Sequence, residues 1–331
     1  MSLPGRREVI AGAAASLLLA GCAPRHRATL FGTDTHPADY PTMRAFRHFG
    51  DLIEERSGGR MRLKLFPGGQ LGAERDTLEI TVFGGLDFNR INMSPLNSIE
   101  SLTIVPSLPF LFENEAHMRR ALDGEPGRRL LASLTPHGLI GIAFYDSGAR
   151  SFYNTRGPIR RPEDMRGLKI RVPNSDLYVA MIRALGADAT PMDIGEVYQG
   201  LAQGVVDGAE NNWPSYQTGR HYEVAPYFSL TGHVIAPEVL LMSRASWDDL
   251  SAADREIVTE SARESVPYMR ALWDARVAAA RDALLAAGVR ENEVDMAAFR
   301  ARMRPVWDAF VTRDDQRGLV DMILAMGGGD A

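Results

Sequence analysis

The sequence predicts an α/β protein built as two domains, with a mainly parallel sheet and crossover helices. Three observations carry this reading. Strand-like and helix-like segments alternate through the first third of the chain and again from Arg160 onward. The length of 331 residues exceeds what one hydrophobic core commonly serves. The C-terminal third then carries a single apolar face along a helix far longer than average.

Taken in order, the chain opens with an export signal over residues 1–21. Arg6-Arg7 precede an apolar run from Val9 to Ala20 that is too short to span a bilayer. The arginine pair leaves both the twin-arginine and the general secretory route open. Leu19-Ala20-Gly21-Cys22 resembles a bacterial lipoprotein cleavage box, and Cys22 is the only cysteine of the chain. Cleavage there leaves Cys22 as a lipidated first residue; a signal peptide that merely contains a cysteine is the alternative. Residues 22–28 read as a polar tether. With no second cysteine the fold has no disulfide and rests on core burial.

Thr29 to Gly32 reads as the first strand. A helical pattern runs from Pro41 to Ser57, where Gly58-Gly59 stops it. Arg60 to Phe66 alternates basic and apolar residues as a half-buried strand does. Pro67-Gly-Gly69 is a turn, and a helix from Ala73 to Phe83 ends at Gly84-Gly85 before a further strand. Leu139 to Tyr145 is another buried strand, and Asp146-Ser-Gly148 is expected to break the chain where it crosses between domains. The pattern restarts with a strand at Lys169–Val172, a helix at Ser175–Leu185, a short strand at Thr190–Met192 and a helix at Ile194–Ala202. No internal repeat is legible. Ser251 and Asp254 signal the start of the long helix and Gly288 its stop. Its apolar face runs through Val258, Ala262, Val266, Met269, Trp273, Val277, Ala280 and Leu284. Pro267 is expected to kink it, and a coiled-coil partner is a competing use of that face.

Composition excludes several functions. With 45% hydrophobic and 24% charged residues the chain is an ordinary globular protein. A net charge of −5, and no dense Lys/Arg tract, argue against nucleic acid. There is no His-Glu-x-x-His, Gly-x-Ser-x-Gly, Walker A loop or cysteine cluster, so no metal or cofactor is expected. Paired carboxylates of a hydrolase stay open among 42 acidic residues. The segments with chemical content are Leu168-Lys-Ile-Arg-Val-Pro-Asn-Ser175 and Val205-Val-Asp-Gly-Ala-Glu-Asn-Asn212. They put Arg171 on a short strand and an Asp-Gly turn before amide side chains. A fixed guanidinium beside amides holds a carboxylate by a two-pronged, charge-assisted hydrogen bond, which points to binding before catalysis. Taken alone, Arg171 reads first as part of a solvated strand face, and the flanking context shifts that weighing.

The order Asp164-Met-Arg-Gly-Leu-Lys-Ile-Arg-Val-Pro173, Leu185-Gly-Ala187, Glu196-Val-Tyr198, Val206-Asp-Gly208, Glu210-Asn211 and Tyr222-Glu-Val224 resembles the solute-binding subunit of tripartite ATP-independent periplasmic (TRAP) transporters. Gly69-Gln-Leu-Gly72, Leu108-Pro-Phe110 and Trp247-Asp-Asp-Leu250 extend the resemblance over roughly residues 29 to 310. It implies a two-lobed, Venus-flytrap periplasmic binding protein with a hinge and a long C-terminal helix spanning both lobes. Lobe I would comprise 29–147 plus 237–277, and lobe II 148–236 plus 278–331. It also implies that Arg171 makes the main contact to a ligand carboxylate, with Arg150, Asn211 and Asn174 beside it in lobe II and Glu74 and Asn92 facing them from lobe I. Arg90 and His36 either face the cleft or lie outside it as a surface ion pair and an exposed loop residue. Trp213 either lines the pocket or belongs to the core. His221, His233 and Glu196 read as structural. A carboxylate at Glu74 accepts hydroxyls and repels a second carboxylate, favouring a hexuronate or aldonate of the sugar-acid subgroup. The expected partners are that acid and the small and large integral membrane subunits, with the membrane met only through the lipid on Cys22 in the periplasm. A dicarboxylate or keto-acid ligand, service to an ATP-driven importer or sensor, and a periplasmic enzyme are the alternatives.

Overall fold

The computed structural model describes residues 28–328. The signal segment, Cys22 and the tether up to residue 27 lie outside the described residues, and Ala28 already belongs to the first strand.

Strand β1 (Ala28–Thr33) leads through helix α1 (Pro41–Arg56) to β2 (Met61–Phe66), then through α2 (Glu74–Val82) to β3 (Phe88–Asn92). α1 starts at a proline, whose missing N–H costs nothing at a helix start. It buries Met43, Phe46, Phe49 and Ile53 along one face. Gly58 and Gly59 then take φ of 61° and 76°, which other residues adopt only with strain. β1 pairs in parallel with both β2 and β3.

A second unit repeats this topology. β5 (Lys169–Val172), α5 (Asp176–Ala184), β6 (Asp188–Pro191), α6 (Val197–Ala202) and β7 (Gly208–Asn211) follow in order, after α3 (Glu115–Asp123), α4 (Glu125–Ser133) and β4 (Leu139–Asn154). β5 pairs in parallel with β6 and β7. The turns match as well: Asp87 Oδ2 accepts from the Phe31 N–H at 2.7 Å, and Asp207 Oδ2 from the Lys169 N–H at 3.0 Å. The chain therefore contains a structural repeat that its residues do not spell out. The short strand β6 begins two residues before its expected start because its register against β5 runs from Asp188 to Pro191.

Between the units lie two long antiparallel strands, β4 and β8 (Tyr227–Ser243). β8 pairs with β3 from Phe88↔Met242 to Asn92↔Glu238, and β4 pairs with β7 from Ser151↔Asn211 to Asn154↔Gly208. Among the described residues nine strands form one sheet in the order β2-β1-β3-β8-β4-β7-β5-β6, with β9 (Arg290–Asn292) on β8. The two lobes thus hang on two continuous strands. Asp146-Ser-Gly148 does not break β4 as expected. Asp146 pairs with Pro237 and Ala149 with Ile235, so one extra residue is absorbed as a bulge with Gly148 at φ 61°. A Cβ at Gly148 would stand 2.8 Å from Glu115 Oε1 and 3.0 Å from the Trp273 indole.

The short helices α7 (Trp213–Thr218) and α8 (Arg244–Asp248) precede α9 (Ala252–Ala286), a helix of 35 residues capped by Ser251 Oγ on the Asp254 N–H at 3.1 Å. It runs through Pro267 as one helix. Its first half packs Val258, Ala262, Met269 and Trp273 against α1, and its second half packs Ala280 and Leu284 with Tyr153, Val206 and Phe228. The apolar face is thereby covered by both lobes of the same chain, which leaves no seam for a coiled-coil partner. α10 (Met296–Phe310) packs on α5, whereas α11 (Asp314–Leu324) returns to α3 and α4. His117 Nε2 meets the Ile323 carbonyl at 2.8 Å. The expectation that 278–331 belongs whole to lobe II fails at this last helix, because Leu319, Val320 and Ile323 bury against Met118, Leu122 and Leu130.

Candidate functional site

The carboxyl ends of β1, β3, β5 and β7 point into the crevice between the lobes, the usual ligand position in open α/β sheets. A cavity of about 410 Å³ there is lined by Gly69, Glu74, Arg171, Asn174 and Ile194, among others. It abuts a deeper recess of about 40 Å³ lined by His36, Glu74, Asn92, Arg150, Arg171 and Asn211, with Ser147, Ser215 and Glu238.

Three buried arginines stand in or directly behind this crevice and differ in what holds them, whereas Arg75 at its mouth is exposed. Arg171 is 3% exposed, and its Nε donates to the Met192 carbonyl at 2.8 Å. It has no ion pair among the described residues, so the rest of its guanidinium is left for the crevice. Burial lowers its pKa, with Glu210 and Tyr153 opposing. Arg150, from β4, instead forks onto Glu210 at 2.5 and 2.7 Å and donates to Asn211 Oδ1 at 3.1 Å. Burial would raise the Glu210 pKa, but Arg150 overrides it and holds the carboxyl at about 2. Arg90 is fully buried; its Nε donates to Asp34 Oδ2 at 2.8 Å, its second fork nitrogen meets Asp34 Oδ1, and Glu238 Oε2 lies 2.8 Å away. Burial would raise the Asp34 pKa, and Arg90 with His36 instead drives it far below the usual range.

The other expected residues divide as follows. Asn211 Oδ1 accepts from Arg150 and from the Asn212 N–H at 2.9 Å, which turns its amide N–H₂ toward the recess. Glu74 opens α2; its Oε1 accepts the Asn92 N–H at 3.1 Å and faces Arg90 at 3.5 Å. Asn92 Oδ1 accepts from Ser94 N–H and Oγ, leaving its N–H₂ free. Asn174 donates to Asp193 Oδ1 at 3.1 Å at the mouth of the larger cavity. His36 lines the recess, stacks on Tyr40 with ring centroids 3.9 Å apart, and meets Arg90 at 2.6 Å.

Two expected residues lie elsewhere. Arg90 is neither at the surface nor in the lining: it sits behind Glu74, His36 and Glu238 and holds them. Trp213 stacks on Phe228 at 3.7 Å and lines a separate cavity of about 230 Å³ with Ala149, Ser151 and Trp273. Arg150 lies between Ala149 and Ser151 on β4 and faces the recess, so strand alternation puts Trp213 on the other side of the sheet. His221 and His233 are buried, as read. Sequence reasoning missed Glu238, Ser147 and Ser215. Ser215 Oγ meets Tyr40 Oη at 2.9 Å, a buried bond between the lobes. The Ala236-Pro-Glu238 break in a long apolar run was the one signal for Glu238.

A buried guanidinium with no ion pair among the described residues, flanked by amides, has the chemistry to receive an anion. Fold and crevice together define a two-lobed solute-binding protein. Residues 31–314 match the bacterial extracellular solute-binding proteins of family 7, and the chain belongs to that family, the binding subunits of TRAP transporters. A TRAP periplasmic solute-binding protein from Xanthobacter autotrophicus Py2, solved with bound β-D-galacturonate, is 47% identical with a TM-score of 0.88, covering 89% of this chain and 99% of that one. One from Chromohalobacter salexigens, solved with D-glucuronate, is 44% identical with a TM-score of 0.88, covering 90% and 99%. The 2,3-diketo-L-gulonate-binding periplasmic protein of Escherichia coli is 34% identical over 89% of this chain and 90% of its own length. These relatives are solute-binding proteins rather than enzymes.

Proposed function

We propose that the crevice binds a hexuronate, D-glucuronate or D-galacturonate, and delivers it to the small and large membrane subunits of a TRAP transporter. Arg171 carries this reading: of the three buried arginines it alone lacks an acid partner among the described residues, so the ligand supplies the carboxylate. Its planar fork takes that carboxylate in two hydrogen bonds. Asn211, Asn92 and Asn174 have amide groups in reach of ring hydroxyls, Arg150 flanks the clamp, and Glu74 accepts hydroxyl protons. The hexuronate-bound relatives support the ligand class. Contacts from both lobes then favour the closed over the open state by rotation about β4 and β8.

Titration calorimetry on ligand-stripped protein tests this with D-glucuronate, D-galacturonate and succinate. Arg171→Ala is expected to lower hexuronate affinity at least about thirtyfold, since losing one partner of a buried charge pair costs roughly 2–5 kcal/mol. Arg171→Lys is also weak, because an ammonium lacks the fork. Equal binding by Arg171→Ala, or binding of succinate but of no hexuronate, overturns the reading. We further propose that Cys22 is lipidated after cleavage at Gly21 and tethers the protein at the periplasmic face of a membrane. Intact mass spectrometry of the membrane fraction checks this; an unmodified N-terminus beginning elsewhere refutes it.

A further inference from the structure

With the ligand's carboxylate on Arg171, its other end meets the lobe I wall of the recess, and that wall is acidic. Glu238 leaves β8 at the point where the strand pairs with Asn92 of β3 and Tyr145 of β4. It is 3% exposed and lines the recess. Asp34, Glu74 and Glu238 share the single guanidinium of Arg90. Three carboxylates against one cation leave a formal excess of negative charge here, opposite the unpaired cation of Arg171.

The three acids are not equivalent. Asp34 takes the Arg90 fork, the Thr42 hydroxyl at 3.1 Å and the His36 N–H at 2.7 Å, and is fully used. Glu74 accepts from the Asn92 backbone. Glu238 touches Arg90 only as an ion pair, without hydrogen-bond alignment, and its Oε2 has no hydrogen-bond partner among the described residues. Oε2 is enclosed against Arg90, but the side chain lines the recess and no hydrogen bond among the described residues engages its carboxyl, so the accepting capacity it has left faces a group that enters there. Sugar hydroxyls supply donors; a second carboxylate adds like charge.

We propose that Glu238 makes the inner end of the recess a subsite for sugar hydroxyls that rejects a second carboxylate, so that the protein takes hexuronates and refuses the open-chain aldarates into which oxidation at C1 converts them. This rests on the reading that Arg171 holds the uronate carboxylate. The test is calorimetry of D-galacturonate against galactarate, on the parent and on Glu238→Gln, which keeps the size and removes the charge. The parent is expected to prefer galacturonate by roughly a hundredfold, and Glu238→Gln to narrow that ratio about tenfold by gaining galactarate affinity. A ratio unchanged in the variant overturns the role of Glu238 while leaving hexuronate binding standing. A parent that binds neither hexuronate overturns the function proposed above and this subsite with it. If Glu238→Gln does not melt cooperatively, the parent decides alone. Galactarate monomethyl ester, with one charge removed, is then expected to bind at least about tenfold more tightly than galactarate; equal affinities overturn the proposal.

Discussion

The two lobes carry the same strand–helix–strand–helix–strand unit but fill one buried position with opposite charges. Gly32 pairs with Phe88 in lobe I as Ile170 pairs with Gly208 in lobe II, which makes Arg90 and Glu210, each two residues further on, equivalent. Lobe I holds its buried cation with Asp34 from the end of β1. Lobe II holds its buried anion with Arg150 from β4. The same register makes Thr33 the counterpart of Arg171. A charge taken out of water needs a partner, and in lobe II Glu210 takes Arg150 and leaves Arg171 without one. In the function proposed above, lobe II therefore supplies the anion clamp and lobe I a wall of acceptors and amides.

The comparison breaks most visibly if either internal partner is removed. Arg150→Met strands Glu210, and Arg90→Met strands Asp34; each is expected to destabilise the ligand-free protein by about 3–5 kcal/mol in denaturant unfolding. Arg150→Met with Glu210→Leu should recover much of the first loss. A neutral Arg90→Met would mean that the lobe I wall stands on its other contacts.

Acid separates the lobes next. His221, hydrogen-bonded to Tyr153 Oη at 2.8 Å, has its pKa lowered to about 4 by burial and then by Arg171. The folded value lies below the unfolded value of about 6.5, so the unfolded chain takes the proton first. Stability is therefore lost as pH falls from about 6.5 to 4, on the order of 3 kcal/mol. His221→Phe should flatten the parent's pH dependence in that window, and identical slopes would refute the assignment. The smallest effect tests the repeat itself. Asp87→Ala and Asp207→Ala remove matched backbone bonds and should each cost about 1–3 kcal/mol. Strongly unequal losses would reduce the repeat to shared topology.

Glu238 and Arg90 mark where sequence reading stops. β8 is buried along both faces over most of its length, so it has no period-two signal and passes as an undifferentiated apolar run. β7 is likewise buried at all four residues and reads as a turn. Asp146-Ser-Gly148 looks like a chain break because bulge and turn use the same residue types. Trp213 follows two amides in sequence, yet it opens helix α7 after β7 has ended at Asn211, so it does not inherit the strand's face.

The sequence by itself determined the elements whose cues are local: the amphipathic faces of α1, α2 and α9, the glycine stops and the serine cap at Ser251; the family resemblance, rather than any local cue, pointed to Arg171, Asn211, Glu74 and Asn92 as neighbours in one crevice. Only the tertiary structure decided which arginine is free. Arg90 finds Asp34 at a separation of 56 residues and Arg150 finds Glu210 at 60. Charge pairing acts through space, and no spacing along the chain encodes it.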